Sequence, residues 1–119
     1  MTSTNSMRRL WTVVFLAMLL SGPSLAQTVS GTISGKVLDP SGAIVPSVVV
    51  TLENEETKQS RRTVANDAGE FVFTAVPPGT YSVSLGAKGF QSARRTGVVL
   101  PADARVPLGE IRLAVGEVT

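Results

Sequence analysis

The sequence predicts an all-β protein, a seven-stranded antiparallel Greek-key sandwich preceded by a signal-peptide helix. The first observation is that apolar residues recur with a period of two along almost the whole chain after residue 26. The second is that glycine, proline, asparagine and aspartate interrupt these stretches at short intervals, as turns between strands require. Roughly seven short strands at this spacing are typical of two antiparallel sheets packed face to face.

The amino-terminal residues have the three-part layout of a secretory signal peptide. Arg8 and Arg9 form a basic start, residues 10–20 are apolar, and small residues precede a cleavage site expected between Ala26 and Gln27. The apolar stretch is 11 residues long, whereas a helix that spans a bilayer needs about 20. We therefore expect a cleaved leader and not a membrane anchor.

This pattern divides the chain into a signal peptide over 1–26 and one domain over 27–119. The mature chain is then expected to be exported, to contain no membrane span, and to be located in the periplasm or at the outer membrane. Met7, directly before the arginine pair, is an alternative start that would leave the signal intact.

The charge of the chain does not predict a nucleic-acid partner. Its formal net charge is +2, and Arg8 and Arg9 account for this excess, so nine basic and nine acidic residues remain in 27–119. Two further arginine pairs occupy 61–62 and 94–95. Because neighbours on a strand point to opposite faces, we interpret these pairs as edge charges that oppose strand pairing, with an anion site as the alternative.

The chain contains no cysteine and no histidine. This excludes a thiolate nucleophile, a Ser-His-Asp triad and a histidine or cysteine zinc site, and it leaves an exported domain without disulfides. The carboxylates Asp39, Asp67 and Glu70 adjoin turn residues, where such groups commonly accept hydrogen bonds from the backbone. The segment 66–70 offers too few oxygen ligands for calcium, which takes six to eight. No catalytic residue, cofactor or metal ligand is expected.

The predicted strands cover 31–39, 47–54, 61–65, 71–76 and 80–85. The third is short and is expected at the periphery of its sheet. The inward residues predicted by alternation are Ile33, Gly35 and Val37; Val48, Val50 and Leu52; Phe71 and Phe73; and Tyr81, Val83 and Leu85. Val49, Thr51, Glu53, Ser82 and Ser84 are predicted to face outward.

Segments that contain proline, glycine or asparagine connect or end these strands. Pro40 and Gly42 favour a reversal, the segment 66–70 is predicted to be a hairpin turn whose residues tolerate positive φ, and 77–79 forms a rigid proline-glycine turn. Gly86 and Gly89 then end the fifth strand before Phe90. The segment 97–115 supplies one or two more strands, in which Pro101 and Pro107 suit an edge or a bend.

The segment from Ser34 to Phe90 resembles the carboxypeptidase regulatory-like domain, a transthyretin-like (prealbumin-like) β-sandwich. It has this family's G-x-V, D-x-x-G, D-x-x-G-x-[FY]-x-F and L-P-P-G-x-Y-x-[LV] pattern, although the second aspartate turn is one residue tighter and Val76 stands in place of leucine. The residues that carry the resemblance are Gly35, Asp39, Gly42, Pro46, Asp67, Gly69, Phe71, Pro77, Pro78, Gly79, Tyr81, Gly89 and Phe90. We expect Tyr81 to pack its ring on the core and to bond its hydroxyl to a loop carbonyl.

The resemblance implies a domain that is not an enzyme. Similar domains follow the catalytic domain of zinc carboxypeptidases, and others precede the plug of TonB-dependent, Oar-like outer-membrane receptors. The receptor context fits better because the domain here directly follows a signal peptide. We therefore expect either the amino-terminal part of such a receptor or a free-standing version of the module.

Three functions follow from these observations. The first is a non-catalytic accessory domain that binds a protein partner, or its own receptor domains, through a sandwich face or a strand edge. The alternative is a carbohydrate-binding module of starch-binding-like fold, which needs exposed aromatic rings. Since Trp11 belongs to the signal and the alternation turns the other rings inward, Phe90 is the one candidate platform. The third, a small hydrolase, would need a cleft with perturbed titratable groups.

Overall fold

The computed structural model describes residues 3–18, 22 and 29–116. These residues form one helix and seven strands. In chain order the elements are α1 (Ser3–Met18), β1 (Gly31–Leu38), β2 (Val49–Asn54), β3 (Ser60–Val64), β4 (Glu70–Val76), β5 (Gly79–Gly86), β6 (Ala93–Leu100) and β7 (Arg105–Arg112).

The strands form two sheets, which confirms the predicted seven-stranded sandwich. The three-stranded sheet has the order β4-β1-β7, and the four-stranded sheet has the order β3-β2-β5-β6. One pair differs from the predicted antiparallel arrangement, because β1 and β7 run parallel. A parallel pair needs a long crossover between its strands, and the segment from β2 to β6 provides it.

Apolar side chains from the inner faces of both sheets make one core. The alternation predicted for β2 is confirmed, since Val50 and Leu52 are buried and Val49 is exposed. Phe71 and Phe73 lie on β4 with ring centroids 6.2 Å apart in an edge-to-face arrangement. Burying each such side chain contributes about 1.5–3 kcal/mol. The core residues are Ile33, Val37, Val45, Val48, Val50, Leu52, Ala65, Phe71, Phe73, Val76, Tyr81, Val83, Leu85, Val98, Leu100, Ile111 and Leu113.

The segment 66–70 is a turn, but the prediction that it joins a hairpin is wrong. β3 pairs with β2 in one sheet, while β4 pairs with β1 in the other, so the turn carries the chain across the sandwich. Of the residues thought to tolerate positive φ there, only Gly69 adopts it. The turn residues specify a change of direction, whereas the choice of sheet depends on where the apolar face of β4 can be buried.

Three of the four edge strands contain an irregularity. Pairing registers show two residues opposite one at 74–75 in β4, at 96–97 in β6 and at 108–109 in β7. In each case the second residue has positive φ: Ala75, Gly97 or Gly109. As the sequence predicted, Pro107 lies on an edge strand, directly before the last of these bulges.

The helix α1 contains Arg8, Arg9 and most of the apolar stretch of the predicted signal peptide. The predicted cleavage site between Ala26 and Gln27 lies outside the described residues. Within the part of the chain that the structure describes, no helix is both long enough and apolar enough to cross a membrane.

Substitutions of Gly69 and Gly42 compare a turn that is tightly packed against the sandwich with a turn that is open to solvent. Both have positive φ, but a Cβ on Gly69 would lie 2.7 Å from the carbonyl oxygen of Val37, whereas nothing lies within 4 Å of one on Gly42. We expect Gly42→Ala to cost about 1–2 kcal/mol of unfolding free energy from the left-handed conformation alone. Gly69→Ala should cost a further 1–3 kcal/mol, roughly, from overpacking. Urea unfolding measures both, and equal costs would contradict this packing.

Candidate functional site

The proline-glycine turn at 77–79 connects β4 to β5 and therefore crosses between the sheets. The side chain of Tyr81 is 4% exposed. Its hydroxyl donates a hydrogen bond to the carbonyl oxygen of Pro77 at 2.5 Å. The expected contact with a loop carbonyl is thus present, and it joins the turn between β4 and β5 to the core.

A cleft of about 510 Å³ opens between this turn and the turn that joins β2 to β3. We call it the Pro77 cleft. Its walls are Leu52, Asn54, Glu56, Thr57, Gln59, Ser60, Arg61, Val76, Pro77, Pro78, Gly79 and Tyr81. One wall is fixed by Asn54, whose side-chain oxygen accepts hydrogen bonds from the backbone N–H groups of Glu56 (2.9 Å) and Thr57 (3.0 Å). The cleft is therefore a preformed feature of the fold.

Asp39 caps the turn after β1, as predicted. One carboxylate oxygen accepts the hydroxyl of Ser41 at 2.6 Å and the backbone N–H groups of Ser41 and Ala43, each at 2.9 Å. These bonds, the Ser41 hydroxyl foremost, lower the pKa of Asp39 below its ordinary value. The carboxylate is committed to holding the turn.

The turn at 66–70 uses its oxygen atoms in the same way. The side-chain oxygen of Asn66 accepts the backbone N–H groups of Ala68 (3.0 Å) and Glu70 (2.9 Å). Among the residues that the structure describes, no group of three or more acidic, histidine or cysteine side chains is arranged to hold a metal ion. The side chain that stabilises this turn is therefore Asn66, and the backbone contacts expected of the Asp67 and Glu70 carboxylates are not among its hydrogen bonds.

Glu55 has a structural role that sequence reasoning missed. Its carboxylate accepts the hydroxyl of Ser82 on β5 at 2.8 Å and the backbone N–H of Gly97 in the β6 bulge at 2.9 Å. Ser82 faces the outer side as predicted, yet it is only 2% exposed. The Gly97 bond, followed by the Ser82 bond, lowers the pKa of Glu55. No local signal marks Glu55, because its partners are 27 and 42 residues away.

Two arginines bridge the open sides of the sandwich. Arg61 on β3 donates to the carbonyl oxygen of Thr74 on β4 at 2.8 Å, and its guanidinium carbon lies 5.7 Å from the ring centroid of Phe73. Arg95 on β6 donates to the carbonyl oxygen of Leu108 on β7 at 2.9 Å. The arginine pairs lie on edge strands as expected, but one member of each also binds the opposite sheet.

The other member of each pair, Arg62 or Arg94, faces the outer surface of the four-stranded sheet. Arg62 and Arg94 lie at the two ends of one row that crosses the four-stranded sheet through Thr51 and Ser84. Arg94 forms an ion pair with Glu53 at 3.7 Å, and both side chains are partly exposed. The two members of each pair therefore do not combine into one anion site.

Within residues 29–116 the aromatic residues do not form an exposed sugar platform. Phe71, Phe73 and Tyr81 are buried, as the alternation predicted. Phe90, the one candidate platform, is half-buried against the core, and its backbone pairs with Val115. The carbohydrate alternative therefore lacks the exposed aromatic surface on which it depended within residues 29–116.

The residues that carried the family resemblance are spread over the fold and do not converge on one reactive centre. Gly35 lies against Phe71, whose ring would be 2.6 Å from an added Cβ. Pro46 precedes β2 in a turn, and Gly89 takes φ of 87° in the turn before Phe90. Gly35, Pro46 and Gly89 thus each have a local structural role.

A protein-family model described as the carboxypeptidase regulatory-like domain matches residues 32–114. The chain belongs to this family. The carboxypeptidase regulatory-like domain is a non-catalytic accessory β-sandwich module, and the match covers all seven strands apart from the first residue of β1. No curated protein matches the sequence.

Solved structures share the fold at low sequence identity. Hydroxyquinol 1,2-dioxygenase from Pseudomonas putida DLL-E4 has a TM-score of 0.59 and 11% identity over 77% of this chain and 58% of its own. The dioxygenase domain of a dioxygenase carbohydrate-binding protein fusion from Streptomyces sp. SirexAA-E has a TM-score of 0.59 and 12% identity, over 80% of this chain and 86% of its own. A cohesin-X-dockerin complex from Acetivibrio cellulolyticus has a TM-score of 0.53 and 22% identity, over 72% of this chain and 58% of its own. The chain thus spans little more than half of the first of these, and the likeness shows the fold alone.

Removing the hydroxyl of Tyr81 tests its role as a clamp. We expect Tyr81→Phe to lower the free energy of unfolding by about 1 kcal/mol, because one hydrogen bond to Pro77 is lost while the ring stays packed. Tyr81→Ala should cost about 3–5 kcal/mol, because it also leaves a cavity. Guanidinium unfolding measures both values, and a neutral Tyr81→Phe would contradict the clamp.

Glu55 makes stability depend on pH on the acid side. Because its folded-state pKa is lowered, its contribution is present above the ordinary value of 4.5 and is lost as the pH falls below that value toward the folded pKa. Glu55→Gln keeps an acceptor oxygen but not the charge, so this variant should lose less stability on acidification than the parent. Glu56→Gln, an exposed neighbour, is the control and should follow the parent. Unfolding curves between about pH 7 and 3 test this, and parallel profiles for all three would refute it.

Proposed function

We propose that this chain is an exported, non-catalytic module that binds another protein or further domains of its own chain, in the manner of the amino-terminal extension of a TonB-dependent, Oar-like receptor. The observation that carries the proposal is that Asp39, Asn66 and Tyr81 hold turns, while the strand surfaces stay available for contact. The arginines Arg61 and Arg95 join the two sheets. The signal-like pattern of residues 1–26, followed by the family match from residue 32, supports export to the periplasm or outer membrane.

The catalytic alternative has little support in these residues. The dioxygenases among the solved structures share the fold at 9–12% identity. Imidazole ligands are typical of non-haem iron oxygenases, and this chain contains no histidine. Its one tyrosine is buried and bonded to Pro77. A binding role is therefore the function that the geometry supports best.

Exposed valines on three edge strands are suitable positions for detecting a partner. Val64 on β3, Val72 on β4 and Val99 on β6 are 57%, 53% and 62% exposed. A photoreactive amino acid at each position should form an adduct with a protein partner at one or more of them in native cells, while the exposed turn position Lys88 serves as the control. Adducts at none of the three strands would contradict the interaction role.

The cell fraction tests the proposed location and context. An antibody against residues 27–119 should detect the chain in the periplasmic or outer-membrane fraction of native cells. A large outer-membrane band supports the receptor context, a small periplasmic band supports a free-standing module, and a cytoplasmic band of precursor size would contradict export.

A further inference from the structure

The edge strand β3 differs from the other three edges in its regularity. Five consecutive residues of β3, from Ser60 to Val64, pair with β2 without a register shift. The edges of β4, β6 and β7 each carry a bulge, and β7 also contains Pro107, which has no N–H to donate. Bulges and proline block the addition of another strand to an edge. β3 is therefore the edge whose backbone remains suited to pairing.

The direction of the backbone groups on β3 follows from the bonds at its two ends. The N–H of Asn54 donates to the carbonyl of Gln59 at 2.8 Å, and the N–H of Ala65 donates to the carbonyl of Val48 at 2.9 Å. Since hydrogen-bonding direction alternates along a strand, the N–H and C=O groups of Ser60, Arg62 and Val64 point away from β2. These three residues form an unpaired ladder along the edge.

The charge on this edge selects the chemistry of a partner strand. β3 contains Arg61 and Arg62 and no acidic residue. Arg61 is committed to the carbonyl of Thr74, so Arg62 supplies the positive charge on the outer face. The nearby carboxylate of Glu53 forms an ion pair with Arg94, which lies on β6, the other edge strand of the same sheet. An acidic residue opposite Arg62 would be favoured, whereas a second copy paired about Arg62 would place like charges together.

The Pro77 cleft adjoins the start of β3, where Ser60 and Arg61 form part of its wall. Its volume of about 510 Å³ is sufficient for one side chain of an added strand that points inward. Alternate side chains of an added strand point to opposite faces, so the same segment can present an acidic group to Arg62 and another side chain to the cleft. Two independent features thus favour the same binding mode.

We infer that β3 binds an extended acidic segment of a partner protein as a fifth strand of the four-stranded sheet, with one side chain in the Pro77 cleft. This inference rests on the proposed interaction function and specifies its surface and the class of its partner. The backbone ladder of Ser60, Arg62 and Val64 provides the hydrogen bonds, and Arg62 selects for negative charge.

The test uses the protein exported and purified from the full-length chain and two short peptides, one alternating valine with glutamate and the other alternating valine with lysine. Hydrogen exchange of individual backbone amides is followed by NMR. At about ten times its Kd, the glutamate peptide should slow exchange of the Ser60, Arg62 and Val64 amides about tenfold. The effect should weaken as salt is raised, because the attraction between exposed charges is screened.

Arg62→Glu is compared with Lys88→Glu, which makes the same change of charge in an exposed turn. Arg62→Glu should abolish protection by the glutamate peptide and favour the lysine peptide, whereas Lys88→Glu should leave protection at β3 in place. An unchanged circular dichroism spectrum confirms that each variant is folded.

Three results would overturn the inference: no protection at β3, equal protection by both peptides, or protection centred on another edge. In those cases a photo-adduct at Val72 or Val99 would leave the interaction function standing. Absence of adducts at Val64, Val72 and Val99 would count against the interaction function itself, so the two failures are distinguishable.

Discussion

The contact between the inner faces of the two sheets is the interaction on which the rest of this structure depends. The chain has no cysteine, so no disulfide can replace any part of the apolar core. The core holds the centre of each sheet, and Arg61 and Arg95 connect the open sides by binding carbonyl oxygens in the bulges of β4 and β7. The bulges that interrupt regular strand pairing thus also provide the carbonyl oxygens that accept hydrogen bonds from the other sheet.

The sequence predicted features that depend on neighbouring residues. Alternation in β2 and β4 identified the core side chains, and the turn chemistry of Asp39 was evident from the residues beside it. The hydroxyl contact of Tyr81 reaches only four residues back along the chain, to Pro77, and was also predictable. Period-two patterns and turn signals are local, which is why reasoning from the residues succeeds for them.

The missed features depend on distant parts of the chain. β1 pairs with β7 in parallel, and the chain passes from β3 to the other sheet. Both features depend on which apolar faces pack together in the folded domain. Glu55 and Arg61 looked like ordinary surface charges, since their partners are defined only once the sheets are assembled. The half-burial of Phe90, the one candidate platform, could not be predicted for the same reason: its packing depends on the segment after β7.

The position of β1 between β4 and β7 also affects when the domain can fold. The first strand, β1, needs the last of the seven, β7, as a neighbour, and the chain changes sheets from β3 to β4 and again from β4 to β5. Contacts between such distant residues form slowly, and they cannot form during synthesis before β7 has emerged. The three-stranded sheet is therefore incomplete until β7 has been made, and a nascent domain that lacks β7 leaves one edge of its first strand open.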